Sequence, residues 1–376
     1  MQVRQAIWRD AEPDATGLAA LIDIAPQWLL VFGSIPALQG AQAALAQAFP
    51  NAHRMGCSTA GEISSAGVGD DSLVVTAVHW NTTRVHQSST VLANMDDSAD
   101  AGARLAAGLP RDGLKAIVVL GQGVQINGSA LIVGLQRVVG DVPIVGGLAG
   151  DAGAFVKTWI LDDQGVSDER VVCVGLYGEA VALSHGVFGG WSVFGPARKV
   201  TQSNGNVLMA LDGEPALTIY KRYLGDYAKD LPASGLLFPF SILGKDHSEV
   251  GLIRTILGVD EAQGSLTLAG DIPEGGYLRL MHASTDALVD GAETAAKALR
   301  LPAQDPGLAL MVSCVGRKLV MGGRVDEEVE AVAEVLGAHV PLAGFYSYGE
   351  ISPTQAGADC LLHNQTMTIT VFSETP

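Results

Sequence analysis

GCSTAGEIS, residues 56–64, and GFYSYGEIS, residues 344–352, decide how this chain is read. They align without a gap. Gly56 falls on Gly344, Gly61 on Gly349, and Glu62, Ile63 and Ser64 on Glu350, Ile351 and Ser352. Asp71 and Asp359 stay in register behind them. A weaker third copy is PIVGGLAGD (143–151); its lead-in, Gly140, Pro143 and Gly146, matches Gly337, Pro341 and Gly344. Each unit reads as helix, glycine cap, short strand, glycine-rich turn and acidic residue. A repeat of this length marks a duplicated supersecondary unit. Two equivalent acidic turns predict related halves that face each other across a shared crevice.

Outward from the first copy, the apolar run WLLVFG (28–33) predicts a buried strand. Ala, Leu and Gln at helical spacing predict a helix over 36–48, stopped by Pro50. Strands are expected at 53–57 and 72–80, then helices at 98–108 and 127–139 with strands at 115–120 and 144–145. Residues 171–176 and 179–184 read as a hairpin turning at Tyr177-Gly178, and GVFGGWSVFGP (186–196) reads as irregular. Further on, strands are expected near 252–257, 265–268, 276–281, 308–315 and 366–372, with helices over 284–299 and 325–336. Residues 205–225 carry a turn at Asp212-Gly213 and Pro215 at a helix start, with Ala216, Ile219, Tyr220 and Tyr223 on one apolar face. The pattern predicts an α/β fold: two related domains of mixed β-sheets flanked by helices, with an internal pseudo-duplication. The domains are expected at 1–190 and 191–376, with the boundary inside 185–212.

Composition narrows the function. The 376 residues carry 23 Lys+Arg against 40 Asp+Glu, a net charge of −17, so neither a phosphate backbone nor an anionic lipid surface is an expected partner. Hydrophobic residues are 48% and charged ones 17%, enough for a sizeable core. The N-terminal stretch has no apolar signal region, and the longest apolar run, 307–315, is short of the ~20 residues of a membrane span. Cys57, Cys173, Cys314 and Cys360 are scattered with no CxxC pair, which predicts buried thiols in a reducing, cytoplasmic setting.

Catalytic signatures are weak. The turns space their residues as GxSxxG and GxxSxG, not as the GxSxG elbow of a nucleophile, and GGLAGD (146–151) lacks a phosphate-loop register. A non-enzymatic role is expected. The candidate ligand-binding residues are Glu62 and Glu350 with Ser58 and Tyr346 of the same turns, and Arg279, Arg317 and Arg324 are candidate partners for an anionic group. The eight histidines form no HxH or HExxH motif. A haem iron needs only one protein imidazole in an apolar, aromatic pocket. His185, beside Phe188, Trp191 and Phe194, has that setting, and His247 near Phe238 and Phe240 is the alternative.

GCSTAGEI before SLVVTAV, PIVGGLAGD, GPARKVTQSNGNVLMALDGEPALTIY (195–220) and GFYSYGEISP before LLHNQTMTITVF together resemble the FIST family, a bacterial sensory module of FIST N and FIST C domains. The resemblance spreads through nearly the whole chain. It implies a ligand-sensing input to signal transduction. Free-standing members of similar size include NosP-type haem-binding nitric oxide sensors, which implies haem b, a gaseous ligand, and a histidine kinase or cyclic-di-GMP enzyme acting in trans. A homo-oligomer is compatible with it. The other expectation is a haem-free module for a small molecule such as an amino acid, with Glu62 or Glu350 on the ammonium and an arginine on the carboxylate.

Overall fold

The computed structural model describes residues 1–9, 13–300, 307–354 and 357–375. The chain lays down one plan three times. The first unit runs β1 (Gln2–Arg9), α1 (Ala15–Ile22), β2 (Trp28–Gly33), α2 (Ile35–Ala48), β3 (His53–Ser58), the short hairpin β4 (Glu62–Ser64) and β5 (Gly67–Gly69), and β6 (Ser72–His79). The second runs β7 (Arg84–Val91), α3 (Ser98–Ala107), β8 (Leu114–Gly121), α4 (Gly128–Val139), β9 (Ile144–Leu148), the hairpin β10 (Ile160–Asp162) and β11 (Gly165–Ser167), and β12 (Arg170–Tyr177). The third opens with β13 (Val181–Phe188) and is then interrupted by a long insertion. That insertion comprises β14 (Ser192–Val193), β15 (Arg198–Asn204), β16 (Val207–Leu211), β17 (Glu214–Pro215), α5 (Ala216–Leu224), β18 (Phe240–Leu243), β19 (Glu249–Arg254), β20 (Ile256–Asp260), β21 (Ser265–Leu268) and β22 (Tyr277–His282). The third unit resumes with α6 (Thr285–Lys297), β23 (Leu308–Cys314), α7 (Val315–Met321), α8 (Asp326–Leu336), β24 (Leu342–Ser347), the hairpin β25 (Gly349–Pro353) and β26 (Cys360–His363), and β27 (Met367–Glu374).

Each unit builds a sheet of four of its own strands and receives a hairpin from another unit. The orders are β1-β6-β2-β3-β10-β11, β7-β12-β8-β9-β25-β26 and β13-β27-β23-β24-β4-β5. Units are thus stitched in a ring: the first gives its hairpin to the third, the third to the second, and the second to the first. In each sheet the two central strands are parallel, as in β2–β3, β8–β9 and β23–β24. Their spacing is set by Gly56, Gly146 and Gly344. A Cβ at these positions would lie 2.0, 1.9 and 1.8 Å from the carbonyl oxygens of Val31, Val119 and Met311, which no side chain can do.

Both faces of these sheets are buried, so the central strands read as continuous apolar runs. Alternate residues Leu30, Phe32, Val118, Leu120, Leu310 and Val312 meet in one core shared by all three sheets. Their neighbours Leu29 and Val31 pack in the cluster under α1 and α2, while Ile117, Val119, Ala309 and Met311 pack with residues of α3, α4, α6 and α8. The ring is closed by Glu374 at the end of β27, whose carboxylate accepts the N–H groups of Asn81, Thr82 and Thr83 between the first two units. The insertion has its own core, including Leu208, Tyr220, Phe240 and Leu266.

Mixed α/β architecture, related units and most elements stand as expected from the sequence, α5 and its apolar face included. Three readings are corrected. No hairpin forms at Tyr177-Gly178, because β12 pairs with β7 and β8 while β13 pairs along its whole length with β27. The segment 186–196 is irregular only in part: it carries the end of β13 and the two-residue strand β14, with 189–191 and 194–196 irregular between and after them, and β13 belongs to the sheet of β23 and β27. Asp151 is not the third copy of the glutamate. Register with the parallel strands puts Glu62 opposite Phe345 and Glu350 opposite Gly147, and the equivalent residue opposite Cys57 is Ile160.

Candidate functional site

The second unit departs from its siblings where the parallel strands end. A single residue, Ser34, joins β2 to α2, and none separates β23 from α7, but 122–127 intervene between β8 and α4. Residues 59–61 link β3 to β4 and Tyr348 alone links β24 to β25, whereas 149–159 link β9 to β10. Both long loops therefore lie outside the carboxyl ends of β8 and β9, the place where open α/β sheets bind ligands. They pack on each other closely: a Cβ on Gly123 would fall 1.8 Å from the carbonyl oxygen of Ala149. Asn127 caps α4, its side-chain oxygen accepting the N–H of Ala130 at 3.0 Å.

The loop after β9 is held from inside. Asp151 accepts the N–H groups of Phe155, Val156 and Lys157 at 2.7–2.8 Å. The Tyr348 hydroxyl donates to the same carboxylate, and the Phe155 ring stacks on Tyr348 with centroids 4.0 Å apart and planes at 14°. Burial and the Asp151 acceptor both push the Tyr348 hydroxyl pKa upward, so it stays a neutral donor. Gln125, Ala152 and Phe155 adopt φ of 56°, 58° and 54°. Each costs on the order of 1–3 kcal/mol, and such outliers cluster at functional sites.

These loops, the Tyr348 turn and the insertion enclose a cavity of ≈ 180 Å³. Its wall is mostly apolar, with Val124, Ile126, Leu148, Phe155, Leu257 and Leu268 prominent; Gln125, Asn127, Asn206 and Thr267 supply hydrogen-bonding groups, and among the described residues no charged one lines it. Across Val124 and Gln125 lies a polar cavity of ≈ 380 Å³, bordered by Gln122, Thr158, Glu169 and the Lys157–Asp168 ion pair.

The residues singled out from sequence sit elsewhere. Glu62 and Glu350 are buried in equivalent braces. Glu62 accepts hydrogen bonds from the Thr59 hydroxyl and from the N–H and hydroxyl of Ser72; Glu350 accepts from the Ser347 hydroxyl and from the N–H and hydroxyl of Thr366. Burial raises both carboxyl pKa values, that of Glu350 to about 8. They lie in different sheets, and among the described residues neither lines the cavities beyond β8 and β9, beside α4 or beside His185. Ser58 accepts the N–H of Trp159, and Tyr346 donates to Glu328, the partner of buried Arg317. Arg324 pairs with Asp286 and Glu327 on the surface.

His185 lines a cavity of ≈ 290 Å³ with its Nδ1 3.3 Å from the Thr370 hydroxyl; burial pushes its pKa down to about 4. The rings that suggested it are not around it. Phe188 and Phe194 are exposed, and the Trp191 indole donates to the Gln365 carbonyl. His247 is an exposed turn residue whose ring lies 3.9 Å from that of Tyr277. Among the described residues no group of three or more His, Cys, Asp or Glu is placed to hold a metal ion, and no helix is long and apolar enough to cross a membrane. Gln125, Asn127, Phe155 and Tyr348 escaped the sequence reading. Their signal was the extra length between repeat landmarks, visible only with all three units aligned.

An uncharacterized protein of Mycobacterium tuberculosis is 31% identical to this chain over 224 residues, covering 54% of this chain and 55% of its own. An uncharacterized protein of Mycobacterium bovis is 30% identical over 183 residues, 46% of each. The chain thus matches about half the length of these curated relatives. Among solved structures, a cyanuric acid hydrolase from A. caulinodans aligns over 100% of this chain and 99% of its own at a TM-score of 0.35 and 10% identity. A chorismatase aligns over 98% of each chain at 0.33 and 11%. Likenesses at this level bear on neither fold nor chemistry. The FIST N domain model matches residues 27–214 and the FIST C domain model residues 216–353. The chain belongs to the FIST family of signal-transduction sensory domains.

Proposed function

We propose that this protein is a sensory input module that takes a small, uncharged, largely apolar molecule into the cavity beyond β8 and β9, and reports its occupancy to a separate signalling enzyme, a histidine kinase or a cyclic-di-GMP enzyme. The observation that carries this reading is the departure of the second unit from its siblings: its added loops, with three strained residues, surround a cavity at the carboxyl ends of parallel strands. A guest there touches the ring and the insertion at once, through Leu148 and Phe155 on one side and Leu257 and Leu268 on the other. It therefore binds most tightly to one relative placement of the two and shifts the population toward it. To move that equilibrium from 1:99 to 99:1 the two states must differ about 10⁴-fold in affinity.

Thermal shift and calorimetry with indole and benzamide, against benzoate as a charged control, test the reading. The uncharged probes are expected to bind saturably and benzoate not. Leu257→Trp, at the half-exposed mouth, is expected to remove the binding without unfolding the chain. Equal responses from all three probes, or a variant that binds like the parent, would count against the site.

A NosP-type haem sensor is the second reading, and the half-buried imidazole of His185 beside a cavity, its pKa pushed down, is the observation that favours testing it. The surroundings fit a haem poorly: the lining carries Lys115, Asp141 and Asp359 and, among the described residues, no aromatic ring to cover a macrocycle. Haemin titration decides. A Soret band lost in His185→Ala would support haem, and no Soret band at saturating haemin would remove it.

A further inference from the structure

The polar cavity across Val124 and Gln125 has no part in the reading above. At ≈ 380 Å³ it is about twice the size of its apolar neighbour and falls in the ~300–1,000 Å³ range of small-molecule sites. Gln122, Val124 and Gln125 line it from the loop after β8, and Val156, Lys157 and Thr158 from the loop after β9. More than half of its lining residues therefore belong to the two loops that the first and third units lack. Its most buried members are polar, Gln122 at 4% and Thr158 at 0% exposure. The Gln122 amide donates to the Arg170 carbonyl at 2.9 Å and accepts the Thr158 hydroxyl at 2.7 Å, and that hydroxyl accepts the N–H of Gly123 at 2.8 Å. These bonds fix the amide in one orientation and use half its capacity. One N–H and one lone pair of Gln122, and one lone pair of Thr158, have no partner among the described residues.

Asn94, Gln125 and Glu169, all exposed, complete the polar lining. Asn94 spends its oxygen on the Asp97 N–H, while its Nδ2, the Gln125 amide and the Glu169 carboxylate are unengaged among the described residues. Lys157 is taken up by Asp168 and lies 5.0 Å from the Trp159 ring centroid, which leaves Glu169 as the uncompensated charge. An anion would meet two carboxylates and no free cation. An apolar guest would cover Gln122 and Thr158 without giving their open positions a partner, which is costly. A hydroxyl donates and accepts at once, as an amide does. Several hydroxyls on one small carbon frame meet Gln122, Thr158 and Gln125 together, a neighbouring pair donates to Glu169, and Leu92 and Val156 receive the C–H face of the frame.

We infer that this cavity is a second binding site, for a small neutral polyhydroxylated molecule of the monosaccharide or cyclitol class, whose hydroxyls fill the open positions of Gln122 and Thr158. The site stands beside the apolar one and does not depend on it. A site built to hydrogen-bond hydroxyls rejects an analogue that lacks them, because its own buried polar groups are then left unpaired.

The test is calorimetric titration of the whole protein with glycerol, D-ribose, D-glucose and myo-inositol, against cyclohexanol and putrescine as controls. Saturable binding, insensitive to added salt, is expected for at least one of the four polyols and for neither control. Gln122→Leu removes the amide at similar size and is expected to weaken that polyol about tenfold or more. Should this variant fail to fold, Val156→Trp keeps the question open to refutation. Val156 is 74% exposed and lines this cavity but not the apolar one, so the larger ring fills the opening without entering the core. It is expected to abolish polyol binding and leave indole binding intact. Polyol binding in a parent protein that refuses indole would remove the apolar site and leave this one standing. No saturable binding of any of the four polyols, a preference for cyclohexanol or putrescine, or polyol binding that survives either variant overturns the inference.

Discussion

The first and third units of the ring and the second unit solve the same junction in opposite ways. In the first and third, a glutamate at the start of the donated hairpin turns back onto a hydroxyl three residues earlier and onto a hydroxyl at or just before the unit's last strand: Thr59, Glu62 and Ser72 in one, Ser347, Glu350 and Thr366 in the other. In the second, Ile160 takes the glutamate's place and the chain between strand and hairpin runs through 149–159. Two units are tied shut by a buried acid. The second unit has given up that tie: Asp151 holds its longer loop from inside, and Tyr348 and the insertion close it from outside. Repetition makes the ring, and the site grows at the unit where the repeat is broken.

The largest effect is expected from putting the acid back. Ile160 is fully buried, and the positions in register with Thr59 and Ser72 hold Lys157 and Arg170, already engaged by Asp168 and Asp162, so Ile160→Glu buries a third carboxyl there without the hydroxyl pair that braces Glu62. The expected loss is about 3–5 kcal/mol in urea unfolding. A loss below about 1 kcal/mol would mean that the position tolerates an acid in every unit, and the contrast would lapse.

Much of this was legible in the chain and part was not. WLLVFG, SLVVTAVH and the helix ending at Gly140 announced themselves, because both faces of the central strands are buried and the helices carry a clear stripe. β1 and β7 (QVRQAIWR and RVHQSSTV) did not. They are sheet edges with polar, partly exposed residues, and propensity alone does not distinguish them from loop. The false hairpin at Tyr177-Gly178 has the same root. β12 and β13 are adjacent strands of the right length, but their partners lie far along the chain, and local sequence does not specify distant pairing. The duplicated glutamates were visible as a repeat. Their role was not: the Thr and Ser that complete each brace stand at offsets of 3 and 10 from Glu62, and of 3 and 16 from Glu350, and only the fold brings them together.

The brace itself makes a second, smaller prediction. The folded chain holds the Glu350 proton up to about pH 8, whereas an ordinary glutamate releases it near 4.5. Between these values the unfolded chain binds fewer protons than the folded one, so stability falls as pH rises, at ~1.4 kcal/mol per pH unit, and levels off above. His185 and His363, both pushed down to about 4 by burial, act oppositely and only below pH ~6.5, where folded chains refuse protons that unfolded ones accept. The window from pH 6.5 to 8 therefore isolates the carboxyl groups. Over it, urea unfolding of Glu350→Gln should lose about one proton's slope relative to the parent. Identical slopes would show that the acid is already ionised in the fold.

The smallest effect concerns the broken unit and decides whether its strain belongs to a site. Gln125 holds φ at 56°, in a region where any Cβ crowds the backbone and glycine does not. Gln125→Gly removes that crowding but frees the unfolded chain, two terms of opposite sign and similar size, so the net gain is expected to be at most about 1 kcal/mol. The same change deletes a polar side chain that borders both the apolar and the polar cavity. A loop kept strained for stability alone would show a loss of melting temperature and unchanged indole binding. A loop kept strained to present Gln125 to a guest gives the reverse: equal or higher stability with weaker binding. The second outcome is the expected one, because the left-handed backbone at Gln125 sets its side chain between the two cavities of the least symmetrical unit.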